Sequence, residues 1–374
     1  MKFRVERDVL AEAVAWTARS LPVRPPVAVL AGLLLTADEN GLALSGFDYE
    51  VSARAEVSAD IATEGRALVS GRLLADICKS LPAKPVDISV DGTKVNLVCG
   101  SARFSLLTLP VEDYPTLPEM PTRSGTVPAD VFAHAVAQVA IAAGRDDTLP
   151  ILTGIRIEID GDTVTLAATD RYRLAVREFT WKPEQPGMSA FALVPAKTLA
   201  DTAKSMTGEV ELALSSGASG EGLVGLTSSG RRTTSRLLEG DFPKYRSLLP
   251  SESLTYATVA TAPFHEAVRR VSLVAERNTP VRLSFSAGEL VLEAGSGDEA
   301  SASEALEAQL DGDDIAIAFN PTYLLDGLGA LDSSHVRLAF TTSTKPAIIT
   351  PTTAEGGGDG TEYRHLLMPV RLSG

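Results

Sequence analysis

Apolar and polar residues follow the same order three times along the chain. The stretch ALVSGRLLADICKSL at 67–81 returns as ALVPAKTLADTAKSM at 192–206 and, more loosely, as IAFNPTYLLDGLGAL at 317–331. The alignment places one aspartate of each copy at the same position, namely Asp76, Asp201 and Asp326. Both intervals are 125 residues, and a constant spacing of that length is typical of repeated domains. The sequence therefore predicts three copies of one domain.

Each copy is surrounded by the same order of predicted elements. An amphipathic helix opens each repeat, with apolar residues three and four positions apart in the segments that begin at Asp8, Ala129 and Ala262. Two apolar runs joined by a polar turn follow, as in LTGIRIEIDGDTVTLAA, which is the pattern of a β-hairpin. The repeated stretch then predicts a second helix. We therefore predict an α+β domain of about 120 residues, in the order strand, helix, four strands, helix and several strands, with two helices covering one face of the sheet.

Proline, serine and glycine mark the borders between the repeats. They collect in PTRSGT at 121–126 and in PSES at 250–253, as is typical of connections between domains. We therefore expect domains at 1–122, 123–251 and 252–374.

The composition is that of a folded protein with room for several cores, since 44% of the 374 residues are hydrophobic and 22% are charged. No segment approaches the roughly 18 uninterrupted apolar residues of a membrane span, and MKFRVERDVL lacks the apolar centre of a signal peptide. We expect a cytoplasmic protein with no membrane partner. Cys78 on a predicted helix and Cys99 on a predicted strand are expected to be buried free thiols rather than one disulfide.

The formal net charge of −14 argues on its face against nucleic acid as a partner. The location of the charges carries more information than their sum. Carboxylates crowd into turns and into the third repeat. The predicted helices carry basic residues instead, at Arg7, Arg19, Arg72, Lys79, Lys197, Lys204, Arg269, Arg270 and Arg277. Either these helices share one basic face, or they are solvated faces with no partner; the helix from Ala129 favours the second reading, because its only cation is Arg145 at the far end.

The sequence predicts no catalytic site, cofactor or metal. His134, His265, His335 and His365 are scattered singly, outside any metal-binding or nucleophile motif. The acidic groups at 146–147 and 311–314 lack the spacing of a calcium loop and are expected to be solvated turns, so a hydrolase built on Asp146 and Asp147 has no supporting arrangement. The glycines at 354–360 are expected to form a flexible loop.

Two segments stand out from this pattern: ATDRYRLAV at 168–176 and YRHLLMPVRLSG at the end of the printed sequence. Together with the three repeats, MKFRVERDVL, FSLLTLPVEDYPTL and EGDFPKYRSLLP, they make the chain resemble the bacterial DNA polymerase III β subunit, the sliding clamp, over essentially its whole length. The resemblance implies three sliding-clamp (DNA-clamp) domains and a non-catalytic processivity factor. It also implies that two chains form a six-domain homodimeric ring around duplex DNA, with helices lining the hole and sheets outside.

Domain size explains why the family would need two chains. A domain of about 120 residues is equivalent to a sphere roughly 35 Å across. Three such spheres in a ring leave a hole of about 5 Å and six leave about 35 Å, whereas a DNA duplex is about 20 Å wide. One chain is therefore too small to surround a duplex, and two are sufficient.

The resemblance further implies a groove between the second and third repeats that accepts a short linear peptide rich in Gln, Leu and Phe. The matching positions are Leu152, Thr169, Arg171, Tyr172, Arg173, Leu174, Pro243, Ser247, Leu248, Asn320, Tyr323, Met368, Pro369, Val370, Arg371 and Leu372. Without the resemblance, the alternative is that Leu152, Leu174 and Leu248 are core residues. Val370 stands where relatives often carry Met, and Asn278 is at a rim position whose residue type varies in the family; both bear on the shape of the groove.

The family pattern also supplies candidates for DNA contact and for the dimer seam. The positions that match DNA-facing residues are Arg24, Arg72, Lys79 and Lys197, while Asp146 replaces an uncharged residue common in relatives. The positions that match the seam are Arg103, Phe104, Leu106, Ser272 and Leu273, where Ser272 replaces an apolar residue. We expect a slightly more polar seam.

The implied partners are double-stranded DNA, held topologically and without sequence preference, and proteins that carry short linear motifs. These proteins are the replicative DNA polymerase III catalytic subunit, the clamp loader, translesion polymerases and mismatch-repair or ligation factors. The competing hypothesis is a repeat-built peptide-binding adaptor that does not encircle DNA.

Overall fold

The computed structural model describes residues 1–215, 222–275, 279–296, 300–355 and 362–371. The described helices are α1 Arg7–Ala18, α2 Gly71–Ser80, α3 Ala129–Ala140, α4 Ala196–Ala203, α5 Thr261–Val271 and α6 Pro321–Gly329. The chain divides into two compact units. The first comprises Met1–Asp130, Lys182–Gln185 and Asp201–Leu237, and the second comprises Val131–Trp181, Pro186–Ala200 and Leu238–Gly374.

The strands within the described ranges are numbered in chain order. They are β1 Lys2–Val5, β2 Gly32–Asp38, β3 Gly41–Phe47, β4 Val51–Val57, β5 Asp60–Thr63, β6 Gly65–Ser70, β7 Val86–Asp91, β8 Lys94–Cys99, β9 Ala102–Leu109, β10 Arg123–Pro128, β11 Gly154–Asp160, β12 Thr163–Thr169, β13 Arg173–Thr180, β14 Lys182–Pro183, β15 Ser189–Pro195, β16 Glu209–Ser215, β17 Leu223–Ser228, β18 Arg231–Arg236, β19 Thr255–Ala260, β20 Val281–Ser286, β21 Gly288–Ser296, β22 Ala300–Asp311, β23 Ile315–Phe319, β24 His335–Phe340, β25 Ala347–Thr352 and β26 Tyr363–Leu367. Helices combined with strands whose described pairings are all antiparallel confirm the α+β class.

Each unit contains one continuous antiparallel sheet. The first unit has the order β14-β10-β16-β17-β18-β4-β3-β2-β6-β9-β8-β7-β1-β5. The second has the order β15-β11-β12-β13-β26-β25-β24-β19-β22-β21-β20-β23. The β4–β18 ladder therefore joins the first repeat to the second, and the β13–β26 ladder joins the second repeat to the third.

The predicted order of elements is correct for the third repeat and incomplete for the first two. Those repeats contain a fifth strand, β5 or β14, before the second helix. Strand β5 is mostly exposed and pairs with β1, while β14 has two residues, one of them Pro183. Neither strand has the alternating apolar residues by which a strand is recognised in a sequence.

The opening helices begin close to their predicted starts and end earlier than predicted. Helix α3 stops at Ala140, so Arg145 lies beyond it. Helix α5 stops at Val271, and Ser272–Val274 form a 3₁₀ turn, so Ser272 and Leu273 are not on the helix as expected. The Ser272 hydroxyl donates to the Val268 carbonyl at 2.5 Å. The backbone has an extended conformation at Ala275.

The apolar face of α1 lies in the core of the first unit. Leu10 and Val14 are fully buried in one cluster with residues of β2, β3 and β6. Trp16 belongs to the same cluster, and its indole N–H donates to Ser205 Oγ at 2.8 Å. The helix thereby holds the sheet of the first repeat to a segment of the second, within the first unit.

Both cysteines are buried and unpaired, as predicted. Burial raises the pKa of Cys78 to about 12, so its thiol is neutral and unreactive at physiological pH. Among the described residues, no helix is long and apolar enough to span a bilayer.

Replacing Leu10 with Ala should lower the free energy of unfolding by about 2 to 5 kcal/mol, because it leaves a cavity in this core. The Trp181→Phe background leaves Trp16 as the only tryptophan, so its fluorescence in urea titrations reports on the first unit. Val23→Ala, at a site that is 78% exposed, is the matched control and should change the value by less than about 0.5 kcal/mol. Equal effects from both substitutions would contradict this account of the core.

Candidate functional site

The turn between β12 and β13 projects two side chains from the second unit. Asp170 Oδ1 accepts the backbone N–H groups of Tyr172 and Arg173 at 3.0 and 3.1 Å. Arg171 has a φ of 80°, a left-handed conformation that is uncommon outside glycine. Thr169 is buried, and its hydroxyl donates to the Arg173 carbonyl at 2.7 Å. The fixed turn leaves Arg171 and Tyr172 exposed.

The buried Arg173 side chain connects this turn to α6. Its guanidinium donates to Asp170 Oδ2 at 3.0 Å and to Asp326 Oδ2 at 2.5 Å. It also lies 4.3 Å from the centroid of the Tyr323 ring, which stacks on Tyr172 with centroids 6.2 Å apart. Burial raises the pKa of Tyr323. The two tyrosines and Arg173 therefore form one wall whose orientation is fixed by charge-assisted hydrogen bonds.

Asn320 is the N-cap of α6. Its Oδ1 accepts from the backbone N–H groups of Thr322 and Tyr323 at 2.9 and 3.3 Å. Such a cap is worth about 1 kcal/mol, and Pro321 suits the first helical turn. Asn320 thus helps to position Tyr323.

The chain passes beside this wall after β26. The Met368 N–H donates to the Tyr172 carbonyl at 2.9 Å, and the Val370 N–H donates to the Ala318 carbonyl at 2.8 Å. Pro369, between them, has no N–H to donate. The side chains of Met368, Val370 and Arg371 are exposed, whereas Leu372 lies outside the described residues, as does Asn278.

A cavity of about 580 Å³ opens against the wall. Five of the residues predicted from the family pattern line it, namely Leu152, Arg171, Tyr172, Arg173 and Tyr323. Leu149, Asp146, Asp170 and Asp326 also line it and were missed as site residues. The Asx turn in TDRYR was a usable signal for Asp170, but the approach of Asp326 depends on tertiary structure. The cavity combines aliphatic and aromatic surface with charged groups.

The other predicted residues lie around the segment that follows β18. Leu174 is fully buried in a cluster with Phe242 and Tyr245, so it supports this segment from below. On the segment itself, Pro243 is half-buried and its carbonyl accepts the Tyr245 N–H, while Ser247 and Leu248 are exposed.

A carboxylate fixes the same segment to the sheet. Glu158 accepts from the Tyr245 hydroxyl at 2.9 Å, from Arg246 at 2.5 Å and from Arg156 at 2.6 Å. Burial, the largest influence on the pKa of Glu158, would raise it, but these hydrogen bonds together lower the pKa below its ordinary value. Glu158 therefore stays ionised and holds Arg246 near the exposed Leu248.

The four predicted DNA-facing cations are all exposed. Arg24, Arg72 and Lys79 belong to the first unit, and Lys197 lies on α4 in the second. Arg72 donates to the Pro22 carbonyl at 3.3 Å. Within the parts of the chain that the structure describes, none of the four forms an ion pair, so their charges are free to meet a polyanion.

The residues predicted for the seam differ in exposure. Arg103 and Phe104 are exposed on β9, whereas Leu106 is in the core and its neighbour Leu107 is 70% exposed. In the second unit Leu273 is 82% exposed and Ser272 is half-buried. Among the described pairings, 102–107 of β9 and 300–308 of β22 have a partner strand on one side only.

Nothing in the described ranges resembles a metal centre, since they contain no group of three or more His, Cys, Asp or Glu residues placed to bind an ion. His365 is buried beneath the wall and has a role in packing. Its Nδ1 lies 3.3 Å from the Tyr363 hydroxyl, and burial followed by the charge of Arg173 lowers its pKa to about 3.

Three family models together match nearly the whole chain: the N-terminal domain of the DNA polymerase III beta subunit at residues 1–118, its central domain at 126–244 and its C-terminal domain at 246–371. The chain belongs to the DNA polymerase III beta subunit family. This result confirms the resemblance and the three clamp domains predicted from the sequence.

Individual relatives agree over their full length. The chain is 66% identical to the beta sliding clamp of Streptomyces coelicolor, with all of both chains covered. Its structure matches the sliding clamp of Bacillus subtilis at 27% identity and that of Pseudomonas aeruginosa bound to griselimycin at 28%, each with a TM-score of 0.91 and all of both chains covered. The chain is therefore a DNA sliding clamp and a non-catalytic processivity factor, and the adaptor hypothesis is not favoured.

The buried His365 should make the stability of the protein fall with acid. Between its ordinary pKa of 6.5 and about 3, the unfolded chain binds a proton at this imidazole and the folded chain does not. This group should therefore remove up to about 1.4 kcal/mol from the free energy of unfolding for each unit by which pH falls through that window. Urea titrations between these pH values should give a flatter profile for His365→Gln than for the parent.

The control for this measurement is His335→Gln, at a half-buried position. The flattening of the profile should be greater in His365→Gln than in this control. If His365→Gln and the parent have parallel profiles, His365 is not held neutral by the fold.

Proposed function

We propose that two copies of this chain close head to tail into a six-domain ring around duplex DNA, and that the surface around Tyr172 tethers partner proteins. The observation that carries the proposal is the cavity walled by Arg173, Tyr172 and Tyr323 beside the C-terminal segment, on a chain with three clamp domains. We call this cavity, with Leu248 and the segment Met368–Arg371, the partner groove. Duplex DNA and a DNA polymerase are the partners implied by the family.

The ring follows from the size argument. Three domains of about 120 residues leave a hole of about 5 Å, which is too small for a duplex. The exposed cations at Arg24, Arg72, Lys79 and Lys197 are the candidates that face DNA. A ring holds DNA by topology, so it needs few phosphate contacts, and a net charge of −14 is compatible with this role.

The seam is proposed to join the open edges of β9 and β22 from different chains. Edge strands offer unpaired N–H and C=O groups, and a closed ring removes both edges at once. Phe104, Leu107 and Leu273 supply exposed apolar surface beside these edges.

The chemistry of the partner groove suits a short linear peptide. Met368 and Leu248 are exposed apolar side chains, and the stacked tyrosines provide a flat wall. Pro369 lacks an N–H group and so interrupts the row of backbone donors in the C-terminal segment. A short peptide reaches about micromolar affinity, which allows partners to exchange. The P. aeruginosa relative bound to griselimycin supports the view that this fold accepts compact ligands.

The proposed occupants of the groove are the catalytic subunit of the replicative polymerase, the clamp loader, translesion polymerases and mismatch-repair or ligation factors. All would act at the nucleoid in the cytoplasm. Because they share one groove on each chain, they would compete unless they bind different chains of the ring.

Retention on DNA should depend on the topology of the DNA. Protein loaded onto a nicked circle by a cognate clamp loader should stay bound through gel filtration at a salt concentration that removes it from linear duplex. Cutting the circle should release it. Equal loss from circular and linear DNA would contradict the ring.

Affinity for linear duplex DNA, measured over a range of salt concentrations, tests the DNA-facing residues. On linear DNA, Arg72→Ser and Lys79→Ser should each reduce the slope of log affinity against log salt by about one, the change expected for one phosphate contact. Lys94→Ser, on β8, is the control and should not change the slope.

Removal of residues 370–374 should abolish binding of a fluorescein-labelled peptide rich in Gln, Leu and Phe, because it removes Val370 and its hydrogen bond to Ala318. Leu248→Ser should weaken this binding about tenfold in fluorescence anisotropy, as expected for the loss of one apolar anchor. Leu254→Ser, at an exposed leucine in the same region, is the control. The truncated protein should remain a folded dimer in light scattering, and unchanged peptide binding by it would refute the assignment.

A further inference from the structure

The first unit contains a second cavity, of about 970 Å³. Its floor is one face of the sheet formed by β2, β3, β4, β6 and β18, and its roof is the segment 111–120. Tyr114 and Leu117 anchor this roof by packing on Leu34, Phe47 and Leu68. The cavity thus lies on the β4–β18 ladder, where the first repeat joins the second.

Three arginines from different strands line the cavity. Arg54 of β4 lies directly opposite Arg232 of β18 in the ladder, and Arg66 comes from β6. Glu56 approaches Arg54 at 3.1 Å and Arg232 at 3.8 Å, so one carboxylate faces two guanidinium groups. Arg66 is exposed and has no ion pair within the described ranges. The cavity therefore offers unneutralised guanidinium groups.

Hydroxyl groups occupy the floor between the arginines. Ser45, Ser52 and Thr234 are all nearly fully buried and line the cavity. Ser52 and Thr234 are hydrogen-bonded to each other at 2.5 Å. This floor is polar, whereas the roof carries Leu117 and Met120.

The backbone around this cavity repeats that of the partner groove. Asp48 Oδ1 accepts the backbone N–H groups of the residues two and three positions after it, Glu50 and Val51. Asp170 Oδ1 accepts from the residues at the same two positions of its own turn. The next residue in each turn has a left-handed conformation, with φ of 75° at Tyr49 and 80° at Arg171. The two junctions therefore have the same construction.

The side chains at the two junctions differ in polarity. With the two turns aligned, Ser52 takes the place of Leu174 and Arg54 that of Val176. Thr234, opposite Ser52, takes the place of Leu366, opposite Leu174. The apolar cluster beneath the second junction is thus replaced by a polar, cationic surface, which changes the ligand that fits.

The chemistry of the lining favours an acidic peptide over nucleic acid. Guanidinium groups bind carboxylates through two parallel hydrogen bonds, and the apolar roof can hold a leucine-type side chain. Glu112 and Glu119 also line the cavity and would repel a continuous row of phosphates. A peptide in which leucine-type residues separate the carboxylates reduces that repulsion, because apolar side chains can lie beside the two glutamates.

We propose that this cavity is a second peptide-binding site, which takes an acidic linear segment of a partner protein with leucine-type anchors. The cavity and its charges stand by themselves; only the comparison of the two junctions rests on the function proposed for the partner groove. One chain would then offer two sites of opposite chemistry, and one partner could use both.

The probe for this site is a fluorescein-labelled peptide of sequence Glu-Asp-Leu-Asp-Leu-Glu, measured by anisotropy against the full protein at about 0.15 M ionic strength. We expect saturable binding. Arg54→Ser and Arg66→Ser should each weaken it about tenfold, as expected for a lost charge-assisted hydrogen bond. Replacing the Asp and Glu residues of the peptide with Asn and Gln should abolish binding.

Arg4→Ser is the matched control, since Arg4 is an exposed arginine of the same unit that pairs with Asp87 away from the cavity. It should leave affinity unchanged. Arg66→Lys keeps the positive charge but loses the guanidinium group that can form two parallel hydrogen bonds with a carboxylate, so it should give an intermediate affinity. Circular dichroism identifies any variant that fails to fold, and Arg66, being exposed, leaves a testable variant if Arg54→Ser does not fold.

Four results would overturn the proposal. They are no saturation with the wild-type protein, equal loss of affinity in Arg4→Ser, displacement of the probe by the Gln-, Leu- and Phe-rich peptide, and displacement by a short DNA duplex. The third result would place the probe in the partner groove, and the fourth would identify a nucleic-acid site. Leu248→Ser should bind the acidic probe normally, so failure at one site is distinguishable from failure at the other.

Discussion

The antiparallel ladders that join one repeat to the next are the constraint on which the rest of the structure depends. A sheet edge exposes unpaired backbone groups, and each repeat covers one such edge with a strand of its neighbour. The β13–β26 ladder sets the turn at Asp170 beside the C-terminal segment, because Arg173 lies opposite Leu367. The β4–β18 ladder likewise sets Arg54 opposite Arg232. Both candidate binding surfaces are therefore consequences of strand pairing between repeats.

Electrostatics then fix the side chains that the ladder brings together. A guanidinium group as buried as that of Arg173 is costly to desolvate, and its two carboxylates and the Tyr323 ring compensate for that cost. Such a group adds little net stability, but removing one of its partners leaves an uncompensated buried charge, which is strongly destabilising. The benefit is a defined orientation of Tyr172 and Tyr323, which matters more for a surface that receives a ligand than for the fold itself.

Local patterns in the sequence were sufficient for the repeats, the hairpins and the starts of the helices, because each depends on residues close in the chain. They were not sufficient where contacts between residues distant in the sequence determine the structure. Strand β14 forms because it pairs with the edge of β10. Leu106 and Leu107 are adjacent leucines, and only the packing of β9 on the core shows which one faces inward. The approach of Asp326 to Arg173 spans 153 residues, so no local motif reports it.

The two junctions also show how repeated domains acquire different tasks at little structural cost. The turns at Asp48 and Asp170 are each held by a carboxylate that accepts two backbone N–H groups, and this contact forms whichever side chains line the faces of the adjoining sheet. Those side chains are free to vary as long as each face stays covered. At one junction the covering segment packs on Leu174 and Leu366, and at the other it packs on Leu34 and Leu68 and leaves Ser52 and Arg54 beside a cavity. Where the covering segment packs elsewhere, polar and charged residues replace the apolar floor without altering the ladder.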